Sequence, residues 1–308
     1  LPEFRSSLRG IAIVAAGVAL TAAFARPLQA ASGDGADRPR YPTTEFAEGA
    51  RSASVSAGDI TAGVAEKRLP KIARDSDVPV LEVIVGGRRV LEAPGVASGS
   101  DQPLAQASIA EIDPGNQSKE VYFTSFSGGA HCCSNVIVAE AIGDKWVAVP
   151  IGDFDGDGDF LDDLDKDGVA EIVTVDNRFL YQFDCYACSA APLVIRTVRD
   201  GKAVDVTSDA RYRKAHRDWL KQMEDEIDPA QRWSSPGFLA GWVAERARLG
   251  EGAAALKELD ARWNLAKDEG EEVCLTGGEP ENCARKNRTI LKFPERLKLF
   301  LKQSGYLP

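Results

Sequence analysis

Between Asp153 and Asp167 the chain carries eight aspartates in fifteen residues, at 153, 155, 157, 159, 162, 163, 165 and 167, opposed only by Lys166. Like charges at that density repel one another and resist a compact loop unless something neutralises them. A hard divalent cation does this best. Ca2+ takes roughly six to eight oxygens in flexible geometry, which alternate carboxylates on a glycine-bearing turn supply. In Asp163-Leu164-Asp165-Lys166-Asp167-Gly168-Val169-Ala170-Glu171-Ile172 the carboxylates stand at positions 1, 3, 5 and 9. Gly168 at position 6 permits the sharp turn, and Val169 at position 7 would offer its backbone carbonyl. An EF-hand is disfavoured, because Thr174 occupies position 12, where that loop needs a glutamate. The upstream half, Asp153-Phe154-Asp155-Gly156-Asp157-Gly158-Asp159, begins in the same way. Asp153, Asp155, Asp157 and Asp159 are therefore candidate ligands of a second cation. Position 9 there is Leu161, so the closing ligand is missing unless Asp162 serves. The competing reading of both halves is a solvated acidic surface loop.

The downstream nonapeptide and the apolar run behind it resemble the calcium loop of FG-GAP and VCBS-type β repeats. The resemblance implies a loop joining two strands of a propeller blade, with Ca2+ held by Asp163, Asp165, Asp167, Val169 and Glu171. An internal repeat points the same way. Ile109-Ala110-Glu111-Ile112-Asp113 … Lys119-Glu120-Val121 lies over Leu161-Asp162-Asp163-Leu164-Asp165 … Ala170-Glu171-Ile172, at a spacing of roughly fifty residues that suits sheet-type repeat units. Each copy runs on through a strand, a cysteine pair, a strand and a polar turn, Gly143-Asp144-Lys145 or Asp200-Gly201-Lys202. In the first copy only Glu111, Asp113 and Glu120 are acidic and Pro114 interrupts the turn, so no metal is expected there. Two such units, with at most a degenerate third around the Val80 hairpin, cannot close a propeller. A partial propeller or a small sandwich is expected instead.

Six cysteines, an even number, suit disulfides in an exported chain. Cys274 and Cys283 flank a Gly/Pro/Glu loop and are expected to pair, and Cys132, Cys133, Cys185 and Cys188 to pair among themselves. His131-Cys132-Cys133 is read as structural in preference to a soft-metal or nucleophilic site. Cys185-Tyr186-Ala187-Cys188 has the spacing of a redox CxxC, yet no thioredoxin-like βαβ pattern surrounds it. No histidine follows Cys188, which excludes c-type haem attachment.

The elements that must position these residues follow from composition and periodicity. Arg5 and Arg9, an uncharged run from Gly10 to Ala25, and the small residues Ala23, Ala25, Ala30 and Ala31 read as a secretory signal over 1–30. That run is short for a membrane span, so a periplasmic or secreted protein free of the membrane is expected after cleavage. Residues 31–77, rich in Gly, Ala, Ser, Arg and Asp, read as a flexible linker. Residues 78–207 read as antiparallel β. Val80–Val85 and Arg88–Glu92 form a hairpin around Gly86-Gly87, and strands are expected at 121–126, 136–141, 146–150, 172–176, 179–183, 193–198 and 203–206. Residues 208–308 read as helical, with helices at Asp209–Glu226, from Pro236 to Leu249, at Glu251–Leu265 and at Phe293–Gln303. The fold class is α+β, an N-terminal antiparallel β-repeat domain with two propeller-blade-like units followed by a helical domain.

A composition of 44% hydrophobic and 27% charged residues excludes a wholly disordered or collagenous chain. A net charge of −10 repels phosphate backbones, so nucleic acid is not expected as a partner. Protein or glycan at the cell envelope is. No GxSxG elbow, HExxH helix or P-loop is present. His131 and His216 are the only imidazoles, and His216 is expected to be solvated on its charged helix. Trp219, Trp233, Trp242 and Trp263 are expected in the helical core. The expected function is a calcium-binding β-repeat module, the cation rigidifying the aspartate loop. The alternative is a carboxylate-dependent hydrolase of glycan or cell-wall material, which needs no sequence signature.

Overall fold

The computed structural model describes residues 41–46, 50–74, 77–98, 104–129 and 132–308. The expected signal segment at 1–30 and the candidate His131 lie outside the described residues. The chain is α+β: antiparallel sheets come first and a region with four helices follows. Strand β1 (Thr43–Phe46) is an edge of the second sheet. Strands β2 (Ser52–Ala57), β3 (Ile60–Arg68), β4 (Asp77–Val85) and β5 (Arg88–Pro94) form the first sheet, in sequence order. The second sheet continues with β6 (Ala105–Ala110), β7 (Glu120–Phe126), β8 (Ser134–Ile142) and β9 (Lys145–Phe154), in the order β1-β6-β7-β8-β9. The third is another meander, β10 (Leu161–Asp162), β11 (Glu171–Val175), β12 (Leu193–Arg199) and β13 (Lys202–Asp205). Helices α1 (Arg213–Glu226), α2 (Pro236–Arg248) and α3 (Gly252–Arg262) follow. A hairpin of β14 (Glu271–Cys274) and β15 (Arg288–Leu291) precedes α4 (Phe293–Gln303).

The layers follow from the two-residue strand period. On one face of the second sheet Ala107, Ile109, Val121 and Phe123 pack with Ile60, Val64, Leu81 and Val83 of the first sheet. On its other face Tyr122, Val136, Val138 and Val149 pack with Leu161, Ile172 and Val198 of the third. Covered on both faces, β7 is buried without alternation from Glu120 to Ser125, its polar residues included. The far face of the third sheet brings Val173 and Leu193 against Trp219, Met223, Leu239, Trp242, Leu259, Leu297 and Leu301 of the helices. Each fully buried side chain of this size contributes about 1.5–3 kcal/mol relative to exposure. Gly86 and Gly87 turn the β4–β5 hairpin at φ 57° and 79°, the left-handed pair that matches strand twist.

Three expectations are corrected. Residues 43–68 are not a linker, since three strands lie within them and Thr43–Phe46 pairs with Ala105–Ser108. Their alternation is built largely from Ala, Ser, Thr and Gly, too weak a contrast to show in sequence, and although β2 and β3 pair as a hairpin, β1 pairs non-locally with β6. Residues 179–183 are not a strand. Asp176 caps a 3-10 turn, Asn177–Phe179, by accepting the Arg178 amide at 3.1 Å, and Phe179 and Phe183 turn into the helical core. The region after 208 is not purely helical, because Cys274–Cys283 clips the β14–β15 hairpin. Among the described residues no helix is long and apolar enough to cross a membrane.

Candidate metal centre

The downstream acidic loop joins β10 to β11, whose residues pair as Leu161 with Ile172 and Asp162 with Glu171. Lys166 at φ 63° and Gly168 at φ 90° reverse the chain. At Gly168 an added Cβ would meet nothing, so the left-handed backbone rather than crowding asks for glycine. Asp163 holds the turn with both oxygens: Oδ1 accepts the Asp167 amide at 3.0 Å and Oδ2 the Gly168 amide at 2.9 Å. Asp167 Oδ1 accepts the Val169 amide at 2.8 Å.

This folding brings carboxylate oxygens of Asp163, Asp165 and Glu171 within 4.8 Å of one another. At that separation each charged pair repels by about 3.5 kcal/mol at an effective dielectric of about 20. Glu171 is 1% exposed. Its Oε2 accepts the Leu164 amide at 3.0 Å and its Oε1 the Tyr212 hydroxyl at 2.9 Å. Burial first, and then the neighbouring Asp165 charge, push its carboxyl up to about 7 against those two hydrogen bonds and Arg211. Asp165 Oδ1 is buried with no hydrogen-bond partner, a costly state for an acceptor. The Arg211 guanidinium lies 3.6 Å from Asp165 and 3.7 Å from Asp167 and offsets part of the charge. The Tyr41 hydroxyl is also buried without a partner. Burial first, then Asp163, Asp162 and Glu171, hold its proton far more tightly than usual.

Of the expected ligands, the structure thus gathers Asp163, Asp165 and Glu171. Asp167 faces Arg211, and the Val169 amide serves Asp167. The upstream set is dispersed. Asp153 accepts from Asn135 at 2.9 Å, Asp155 from the Tyr186 hydroxyl, and Asp157 from the Asp159 amide at 3.1 Å. Among the described residues no three of those carboxylates converge as the downstream set does. Tyr122 and Ser134 hold that loop instead through the carbonyls of Gly158 and Gly156. In the first repeat copy Glu120 accepts the Ile112 and Asp113 amides and the Asn116 side-chain amide, at 2.7, 2.9 and 2.8 Å. Glu120, like Glu171, is held by neutral donors, and its charged neighbours are Glu111 and Glu140. Sequence reasoning missed Tyr41, Arg211 and Tyr212, which reach the loop from distant segments and carry no local signal.

His216 is corrected as well. It is 4% exposed, with Nδ1 2.6 Å from Glu245 and Nε2 2.9 Å from the Thr207 carbonyl. The cysteines pair as Cys132–Cys133, Cys185–Cys188 and Cys274–Cys283. Trp219 and Trp242 are fully buried in the helical core, and Trp233 and Trp263 pack against it. A cleft of about 350 Å³ in the helical region is lined by Phe183, Pro236, Trp263, Asp268, Phe293 and Arg296, among others. Asp268 there is taken up by the Trp263 indole and the Phe293 and Gly270 amides, and Glu271 pairs with Arg296.

Fold and site together define a protein of stacked antiparallel sheets with an acidic strand-junction loop, braced by a helical region. Residues 216–305 match a family model described as the sll0997 C-terminal domain. The sequence is 32% identical to the probable thylakoid lumen protein sll0997 of Synechocystis sp. over 257 residues, 82% of this chain and 75% of that protein. The chain belongs to that family. It is also 29% identical over 219 residues, 69% of its length, to the uncharacterized protein y4bJ of Sinorhizobium fredii, of which it spans 34%. No solved structure matches.

Proposed function

We propose that this chain is an extracytoplasmic calcium-binding β-repeat protein that acts as a binding or structural module. Ca2+ is held by Asp163, Asp165 and Glu171, with Asp167 and the Val169 carbonyl completing the set as in FG-GAP and VCBS-type loops. The single observation carrying this reading is the convergence of three carboxylates on a strand junction with one buried Asp165 oxygen unserved. Oxygen-only donors favour a hard cation. Through Tyr212, which binds Glu171 and leads directly into α1, the cation would tie the helical region to the third sheet. The successive meanders are blade-like units of an unclosed stack. The location is supported by three disulfides and by the relative's name as a probable thylakoid lumen protein. The partner class is protein or glycan at the cell envelope. In the helical-region cleft Asp268 and Glu271 are engaged in internal bonds, which leaves Glu269 where a two-carboxylate hydrolase needs a pair.

The test is calorimetric unfolding with Ca2+ and then with chelator. At about 100 times Kd the cation stabilises by about 2.7 kcal/mol, a rise of about 4–5 °C in Tm for a chain of this size. Asp165→Asn is expected to abolish most of that rise. No shift together with no protein-bound metal refutes the proposal, and an unchanged shift in Asp165→Asn refutes the ligand assignment.

A further inference from the structure

The Cys185–Cys188 disulfide lies outside the metal centre, and its surroundings differ from those of a structural clip. The cysteines are only three apart in sequence, so the bond removes less freedom from the unfolded chain than the longer Cys274–Cys283 loop does. Cys274 and Cys283 are buried, at 5% and 8% exposure, whereas Cys185 and Cys188 are both exposed. The residues on either side are held without the disulfide. Phe183 is packed in the helical core, and Ser189 and Ala190 are buried. The Ala190 amide donates to the Gly237 carbonyl at 3.2 Å, and Ser189 Oγ donates to the Cys185 carbonyl at 2.9 Å. Gly237, in the first turn of α2, sits so close that a Cβ there would come within 2.5 Å of the Cys188 carbonyl oxygen. The Tyr186 hydroxyl, between the cysteines, donates to Asp155. A turn anchored at both ends and in its middle can lose its S–S bond and keep its path. Beside it, Phe183 and Pro236 line the helical-region cleft together with Trp263 and Phe293 and the charged Lys267, Glu269 and Arg296.

We propose that Cys185–Cys188 is a thiol–disulfide exchange site whose co-reactant is a dithiol, borne by a small molecule or by a protein. A thiolate of the dithiol attacks one of the two cysteine sulfurs. A mixed disulfide forms, the Cys185–Cys188 bond breaks, and the departing sulfur takes a proton. The second thiol of the co-reactant then attacks the mixed disulfide and releases the other cysteine. Two electrons and two protons pass to this chain, and the dithiol leaves as its own disulfide. Exchange in this direction needs access to the sulfur and a fold that survives opening, and the anchored, exposed turn offers both.

The test titrates the full, folded chain with mixtures of reduced and oxidised dithiothreitol at neutral pH. Acid quenching, alkylation and peptide mass spectrometry read each cysteine, and circular dichroism follows the fold. Cys185 and Cys188 are expected to open at a reduced-to-oxidised ratio about tenfold lower than Cys274–Cys283, with unchanged dichroism, and to close again on reoxidation. A pair that stays closed until the dichroism collapses, or that opens together with Cys274–Cys283, overturns the proposal. A Cys185→Ala/Cys188→Ala variant is expected to fold with a Tm within a few degrees of the parent. Failure of that variant to fold assigns the disulfide to scaffolding and overturns the proposal equally.

Discussion

Glu245→Gln is the sharpest probe of how the helical region is held on the sheets. Glu245 on α2 is fully buried and binds two elements at once. Its Oε1 meets His216 Nδ1 at 2.6 Å, and its Oε2 accepts the Leu193 amide of β12 at 3.0 Å. His216 Nε2 faces the Thr207 carbonyl at 2.9 Å, and a carbonyl only accepts, so that nitrogen carries a proton. Burial opposes a charged ring and Arg248 opposes it slightly. The hydrogen bond and charge of Glu245, helped by Thr207, outweigh both and raise the ring above 6.5. Removing one member of a buried ion pair costs about 3–5 kcal/mol. The glutamine amide keeps the Leu193 bond and can donate to a neutral ring, so once His216 is neutral the cost falls to about 0.5–1.5 kcal/mol. The sign follows from linkage. The raised ring contributes stability that is fully present below the unfolded value of 6.5 and is lost as pH rises through the folded one. The variant lacks that contribution. Urea unfolding followed by tryptophan fluorescence, with Trp219 and Trp242 as buried reporters, is therefore expected to show the largest gap between parent and variant near pH 5 and a smaller gap at alkaline pH. A gap independent of pH refutes the charged pair.

Two further substitutions test the packing. An alanine in place of a mid-helix glycine ordinarily gains about 1 kcal/mol, but at Gly241 its Cβ would lie 2.3 Å from the Ala190 carbonyl oxygen. Gly241→Ala is accordingly expected to lower stability by about 1–3 kcal/mol in denaturant unfolding, and a stabilised variant refutes the close approach of α2 to the segment before β12. Removing Cys274–Cys283, whose cysteines are nine apart, is expected to cost about 2.5 kcal/mol from loop entropy. Calorimetry is expected to show this as a Tm lowered by about 4 °C, and an unchanged Tm shows that β14–β15 holds without its clip.

Short-range signals survived translation into structure. Gly86-Gly87 predicted a hairpin and makes one, because two left-handed residues in a row admit few other turns. Phe293-Pro294-Glu295 predicted a helix start, and α4 begins at Phe293. The Cys274–Cys283 pairing followed from a short intervening loop. The long-range failures share a cause. Residues 43–68 looked like a linker because Ala, Ser and Thr give little apolar contrast, yet Phe46, Ile60 and Val64 are buried once β1 pairs with β6 and β3 with β4. His216 looked solvated because its neighbours in sequence are charged. Its burial depends on Glu245, which lies on α2.

The linear chain by itself determined where negative charge accumulates, because mutual repulsion among Asp153–Asp167 and the turn at Gly168 are properties of adjacent residues. Tertiary structure alone decided that Asp163, Asp165 and Glu171 converge while Asp153, Asp155 and Asp157 are taken up by other groups. It also decided that Tyr41 and Tyr212 close over the downstream loop. The reason is that convergence and burial are set by sheet register and by packing between layers, and those contacts join residues separated along the chain by tens of positions.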